Sequence, residues 1–184
     1  MDRRNALMTL SGVLAASALA AVPNRVAFAQ TAPGVSPVTP LQYKTQTLEL
    51  GTFSRQTSEL ALVQARHPKV KQFAQFEVAE QLTMAQVLTD TANPPPAPLA
   101  PEHAALLSQL QSQVGRGFDA AYLQVQIGAH QELFRAQETF LSGITGSPDY
   151  QHIAMLARTV IQMHSTMLQD IWNQLNAETG LAGR

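Results

Sequence analysis

Apolar side chains recur at three- and four-residue spacing over most of the chain beyond Leu41, and no stretch alternates in the two-residue rhythm of a strand. From Leu41 to Arg66 the residues favour helix apart from several threonines and Gly51. His67-Pro68 ends the run, because proline disfavours helical geometry in the residue before it. Pro68 suits the first position of a second helix, with the helical rhythm running from Lys69 to Thr91. Asn93-Pro94-Pro95-Pro96-Ala97-Pro98 then forms a stiff extended connector. A short helix is predicted from Glu102 to Gln113, followed by a turn at Gly115-Arg116-Gly117. The third long helix runs from Phe118 to Ser142 and stops at Gly143. The fourth starts at Ser147-Pro148-Asp149 and reaches Glu178, before Gly180. The pattern predicts an all-α, antiparallel four-helix bundle over residues 41–178, with a short helix in its long second connection and a flexible tail over 179–184.

At about 100° per residue, three ionisable side chains fall in the middle of apolar faces. In the second helix Val70, Phe73, Ala74, Met84, Ala85 and Leu88 share a face from which Glu77 and Gln81 project, with Glu80 at its edge. In the third, Tyr122, Leu123, Leu133, Phe134, Phe140 and Leu141 surround His130, and Asp119, Gln126 and Gln137 add a polar spine. In the fourth, Ile153, Leu156, Ala157, Val160, Met167, Leu168 and Ile171 surround His164. The first helix is less decisive, since Phe53, Leu60 and Val63 share a face with Glu49 and Gln56. At about 1.5 Å of rise per residue, Glu77, Glu80 and His130 can share one layer, and His164 falls roughly one helical turn deeper unless the helices are staggered.

The first 29 residues change the compartment. Arg3 and Arg4 precede an apolar run from Ala6 to Val22, and Ala27-Phe28-Ala29 offers a cleavage site, so residues 1–29 read as an export signal and residues 30–40 as a flexible lead-in. Asp2-Arg3-Arg4-Asn5-Ala6-Leu7-Met8 resembles a twin-arginine motif, with Ala6 where that motif usually carries Phe, and twin-arginine export carries folded proteins. The expected compartment is the periplasm, with no integral membrane segment after cleavage. Without Asp2, Arg3, Arg4 and Arg25, nine basic side chains face twelve acidic ones, a net charge of about −3. The basic residues are scattered and aromatic residues make up only 6%, which argues against nucleic acid as a partner. There is no cysteine, so disulfides and thiolate metal sites are excluded.

A buried carboxylate and two imidazoles suit Zn, Fe or Mn, or they form a hydrogen-bonded polar core that fixes helix register. The candidate ligands are Glu77, Glu80, His130 and His164, with Gln81, Asp119, Tyr122 and Gln126 as the surrounding polar core. A di-iron bundle needs Glu-x-x-His on two helices, and neither histidine has a glutamate three residues before it. His67, His103 and His152 read as surface residues, and Glu132 and Glu138 as solvated. Met84, Met155, Met163 and Met167 read as core packing, with copper(I) binding as their alternative. No Ser-His-Asp pattern supports a hydrolase.

The run Val70-Lys71-Gln72-Phe73-Ala74 through Glu77 and Glu80, then Phe118-Asp119-Ala120-Ala121-Tyr122-Leu123 with His130 beyond it, and His164 in the last helix, resembles the exported family called domain of unknown function 4142. The resemblance covers Leu41 to Leu175 and implies a ferritin-like helical bundle without an assigned activity. Many members carry Asp-His late in the second helix, where this chain has Glu80-Gln81, which removes one candidate ligand. Two functions fit. One is a structural or partner-binding envelope module, alone or as a homo-oligomer, favoured by the missing Glu-x-x-His motifs. The other is a metal-binding bundle with a redox, stress-protective or metal-buffering role.

Overall fold

The computed structural model describes residues 37–143 and 147–181, with side chains through 178. The expected export signal over residues 1–29, residues 30–36 of the expected lead-in and residues 182–184 of the expected tail lie outside the described residues. Five helices follow in order: α1 (Pro40–Gln64), α2 (Pro68–Thr89), α3 (Pro101–Gln111), α4 (Gly115–Ser142) and α5 (Pro148–Leu181). Among the described residues there is no strand, and no helix is long and apolar enough to cross a membrane.

The start of α1 is set by a capping box. The Thr39 hydroxyl accepts from the Gln42 amide while the Gln42 side chain takes the Thr39 amide, and Pro40 occupies the first helical position. Helix α1 therefore begins at Pro40, one residue before the expected Leu41. Gly115 to Gly117, expected as a turn, forms the first turn of α4; Gly115 takes a φ of 64°, which glycine adopts without strain. At the other end, α5 continues to Leu181, past the expected stop at Glu178.

The long helices pack in a ring, α1 against α2 and α4, and α5 closely against α4 and lightly against α2. Tyr43, near the start of α1, donates to Gln137 near the end of α4 and stacks on Phe140, with ring centroids 4.3 Å apart. At the opposite end, His67 before α2 lies 3.4 Å from Glu178 near the end of α5. Neighbouring helices thus run in opposite directions. Apolar clusters fill both ends, one around Phe73, Phe118 and Leu168, the other around Tyr43, Leu88 and Phe140. Each such buried side chain contributes about 1.5–3 kcal/mol.

Three expectations about faces are corrected. The buried face of α1 is not built on Leu60 and Val63. Val63 is 80% exposed, and the buried positions are Tyr43, Thr47, Leu50, Gly51, Thr52, Phe53, Ser54, Thr57, Ser58 and Ala61, so of the expected apolar trio only Phe53 is buried. Hydroxyls can line a core when each finds a partner, and apolar periodicity is blind to that case. Leu156, placed on the inward stripe of α5, is 71% exposed, and Met155 and Met163 are exposed as well, since the loose contact of α5 with α2 leaves that flank open. His103, read as a surface residue, is buried beneath α3, against Phe53 and Glu49. It shares one side of α3 with Leu107 and Leu110, a spacing that marks an inward face.

Candidate metal centre

Between the apolar ends, α2, α4 and α5 bring Glu77, His130 and His164 together, each at most 4% exposed. Their ligand atoms lie within 4.8 Å of one another. Glu77 Oε2 is 3.0 Å from His164 Nδ1 and 3.4 Å from His130 Nε2, and the two ring nitrogens are 3.4 Å apart. The alternative of staggered helices, which brings His164 level with His130, is the one that holds. Arg158 pairs with Glu138, 20 residues away, and His164 with His130, 34 residues away, so the α4–α5 hairpin is centred near 147–148. The first turn of α5 therefore extends beyond the last turn of α4 and absorbs the offset.

The other faces of the three groups are held by polar partners. His130 Nδ1 donates to the Gln126 carbonyl at 2.8 Å, which fixes the tautomer and turns Nε2 towards Glu77. His164 Nε2 faces Glu80 Oε2 at 3.3 Å, so Glu80 stands behind a histidine rather than among the converging atoms. Glu77 Oε1 accepts from Ser54 at 2.5 Å and from Gln81 at 3.0 Å. Gln126 then donates to Thr57 and Ser58, and Ser58 shares a 2.8 Å hydrogen bond with Tyr122. One polar chain so links Tyr122 to Glu80 through the core. Phe73 closes one side, with ring centroids 5.7 Å from His130 and 5.2 Å from His164.

Gly51 allows this approach. A Cβ there would stand 2.5 Å from Gln81 Oε1, so any larger residue displaces the side chain that holds Glu77.

Charge follows geometry. Burial pushes the Glu77 carboxyl up, but the charge of His130 and hydrogen bonds from His130, His164 and Ser54 outweigh it and hold the group well below the usual carboxylate range. Burial pushes His130 down, yet the charge and hydrogen bond of Glu77, the Gln126 carbonyl and the charge of Glu80 together raise it. Glu80 is raised by burial and by Glu77, against the pull of His164 and His130. Tyr122 is pushed well above the usual phenol range by burial and, to a lesser degree, by Glu77.

Asp119, at the start of α4, reaches across to another helix. Its carboxylate accepts from the Arg66 and His67 amides at 3.0 Å each, in the turn that opens α2. Asp119→Ala should lower stability by about 1–2 kcal/mol in urea unfolding. An unchanged midpoint would mean that these amides find other partners. From α1, Ser54, Thr57 and Ser58 join the polar chain of the core without interrupting an apolar stripe; their i, i+3, i+4 spacing places them on one side of the helix. Glu49 and Gln56 do not complete the centre: Glu49 turns to His103 and the Ala100 amide instead.

In the comparison with solved structures, the crystal structure of a DUF305 fragment from Deinococcus radiodurans has a TM-score of 0.63 at 16% identity, covering 75% of this chain and 99% of that one. This likeness extends to the fold alone. No curated protein matches the sequence. The model of the family described as Domain of unknown function (DUF4142) matches residues 26–171, a span that takes in α1 to α4, all three converging side chains and Glu80. The chain therefore belongs to the DUF4142 family.

Proposed function

We propose that this protein is an exported, periplasmic helical module that binds one first-row divalent metal ion at Glu77, His130 and His164. The observation that carries the reading is the spacing of the three ligand atoms, 3.0, 3.4 and 3.4 Å. Bonds of about 2.0–2.1 Å to a tetrahedral ion hold its ligands about 3.3 Å apart, and an octahedral face is slightly tighter. The outward nitrogens of both histidines meet a carbonyl and a carboxylate, the arrangement that orients metal-binding imidazoles and raises their basicity. Zinc, iron and manganese all suit two imidazoles and a carboxylate. Copper(I) loses its support, since Met155 and Met163 are exposed and Met84 and Met167 pack in apolar clusters. A single carboxylate among the converging atoms suits one ion rather than a di-iron pair, and the sealed position favours metal retention or buffering over turnover of a substrate.

A second reading has its own support, because Glu77 already has a protein partner at each oxygen. The group then serves as a polar core that fixes helix register in a structural or partner-binding module. Elemental analysis of protein taken gently from its native compartment separates the two. The metal reading expects close to one equivalent of ion and a rise in melting temperature on adding zinc, iron or manganese. Less than about a tenth of an equivalent, with no thermal shift, would leave only the polar core.

A further inference from the structure

Away from the Glu77 centre, α3 lies across α1 and α4 and leaves a cavity of about 310 Å³, at the lower end of the range for small-molecule pockets. Phe53, Leu106 and Val125 contribute apolar walls, and His103 and Glu132 a polar end. His103 Nδ1 lies 2.8 Å from Glu49 Oε1, which also accepts from the Ala100 amide at 2.9 Å. The imidazole is stacked on Phe53, with centroids 4.4 Å apart and planes at 17°. Glu49 therefore orients a buried ring whose Nε2 faces Glu132, at a long 3.4 Å.

Two features give the cavity a ligand chemistry. Two carboxylates share one imidazole, so its polar end keeps negative charge whether or not the ring carries a second proton, and no lysine or arginine is among the residues lining it. Gly128, inside α4, also lines the cavity. Glycine within a helix is less favourable than alanine, and nothing lies within 4 Å of where a Cβ would stand, so packing does not require glycine there. Its effect is to keep the cavity open.

We propose that this cavity binds a small amphipathic amine. The protonated amine donates to Glu132 and to His103 Nε2, and the apolar body rests against Phe53, Leu106 and Val125. Glu132 is free to make this contact because its side chain is 44% exposed and only loosely engaged with His103. Glu77, His130 and His164 are not among the residues lining this cavity.

The test is an NMR titration of the full chain with 2-phenylethylamine, with 2-phenylethanol and 3-phenylpropionate as uncharged and anionic comparators. Saturable shifts at Val125 and Gly128 are expected with the amine, and binding at least tenfold weaker with the comparators. Glu132→Gln should weaken the amine about tenfold. Gly128→Leu should abolish binding with the circular dichroism spectrum unchanged. If Gly128→Leu fails to fold, Glu132→Gln, at a half-exposed position, carries the test. Absence of saturable shifts at millimolar amine, equal binding of the alcohol or the acid, or full affinity in Glu132→Gln would each overturn the proposal.

Discussion

Glu77→Leu, measured with a chelator present, is expected to lower the unfolding free energy by about 3–5 kcal/mol and the melting temperature by about 10 °C or more. The loss comes from the partners more than from the carboxylate itself. His130 would keep its buried ring without the charge that raises it, His164 would lose its 3.0 Å contact, and Ser54 and Gln81 would lose their shared acceptor. Replacing Glu77, His130 and His164 together by leucine removes the charges as a set, and such swaps in other proteins are neutral or stabilising. The triple variant leaves Ser54 and Gln81 without their acceptor but no unpaired charge among the three positions, so it is expected to lose less than Glu77→Leu alone, about 1–2 kcal/mol, and the single and triple changes are strongly non-additive. A loss below about 1 kcal/mol for Glu77→Leu alone would show that His130 and His164 do not depend on the carboxylate.

The legibility of the chain divides along the same physical line. The helices were readable because proline and glycine punctuate them and apolar residues mark the inward faces of α2 and α4. Glu77, His130 and His164 stood out as violations of those faces. Polar residues that violate no apolar stripe are harder to read. Ser54, Thr57 and Ser58 lie on a helix whose buried side is largely polar; their i, i+3, i+4 spacing marks one shared side, and their partners on α2 and α4 show that this side faces inward. His103 was missed for a related reason, since a short helix between loops offers few positions from which to read a face. The level of His164 depended on where the α4–α5 hairpin is centred, which side-chain pairing across the hairpin reveals and residue counting does not.

The centre also makes the metal-free and metal-bound proteins respond oppositely to pH. Without metal, the lowered Glu77 carboxyl contributes stability that is present above about pH 4.3 and is lost as pH falls through its folded value. The raised His130 contributes stability that is complete below about pH 6.5 and is lost as pH rises through its folded value. In this centre the metal-free protein should therefore gain most between about pH 4.3 and 6.5, and weaken above that window. A metal ion takes the lone pair that His130 otherwise shares with a proton, so binding releases that proton and weakens about tenfold for each pH unit below the raised His130 value. Melting curves in zinc should thus pull away from those in chelator as pH rises from 6 to 8. Glu80→Gln should reduce zinc affinity about 10–100-fold while keeping this divergence, because Glu80 acts through His164. His130→Gln should abolish the divergence, because it removes both the ligand and the proton it exchanges. Parallel zinc and chelator curves across this range would mean that no ion competes with the His130 proton, and the three side chains would stand as a polar core alone.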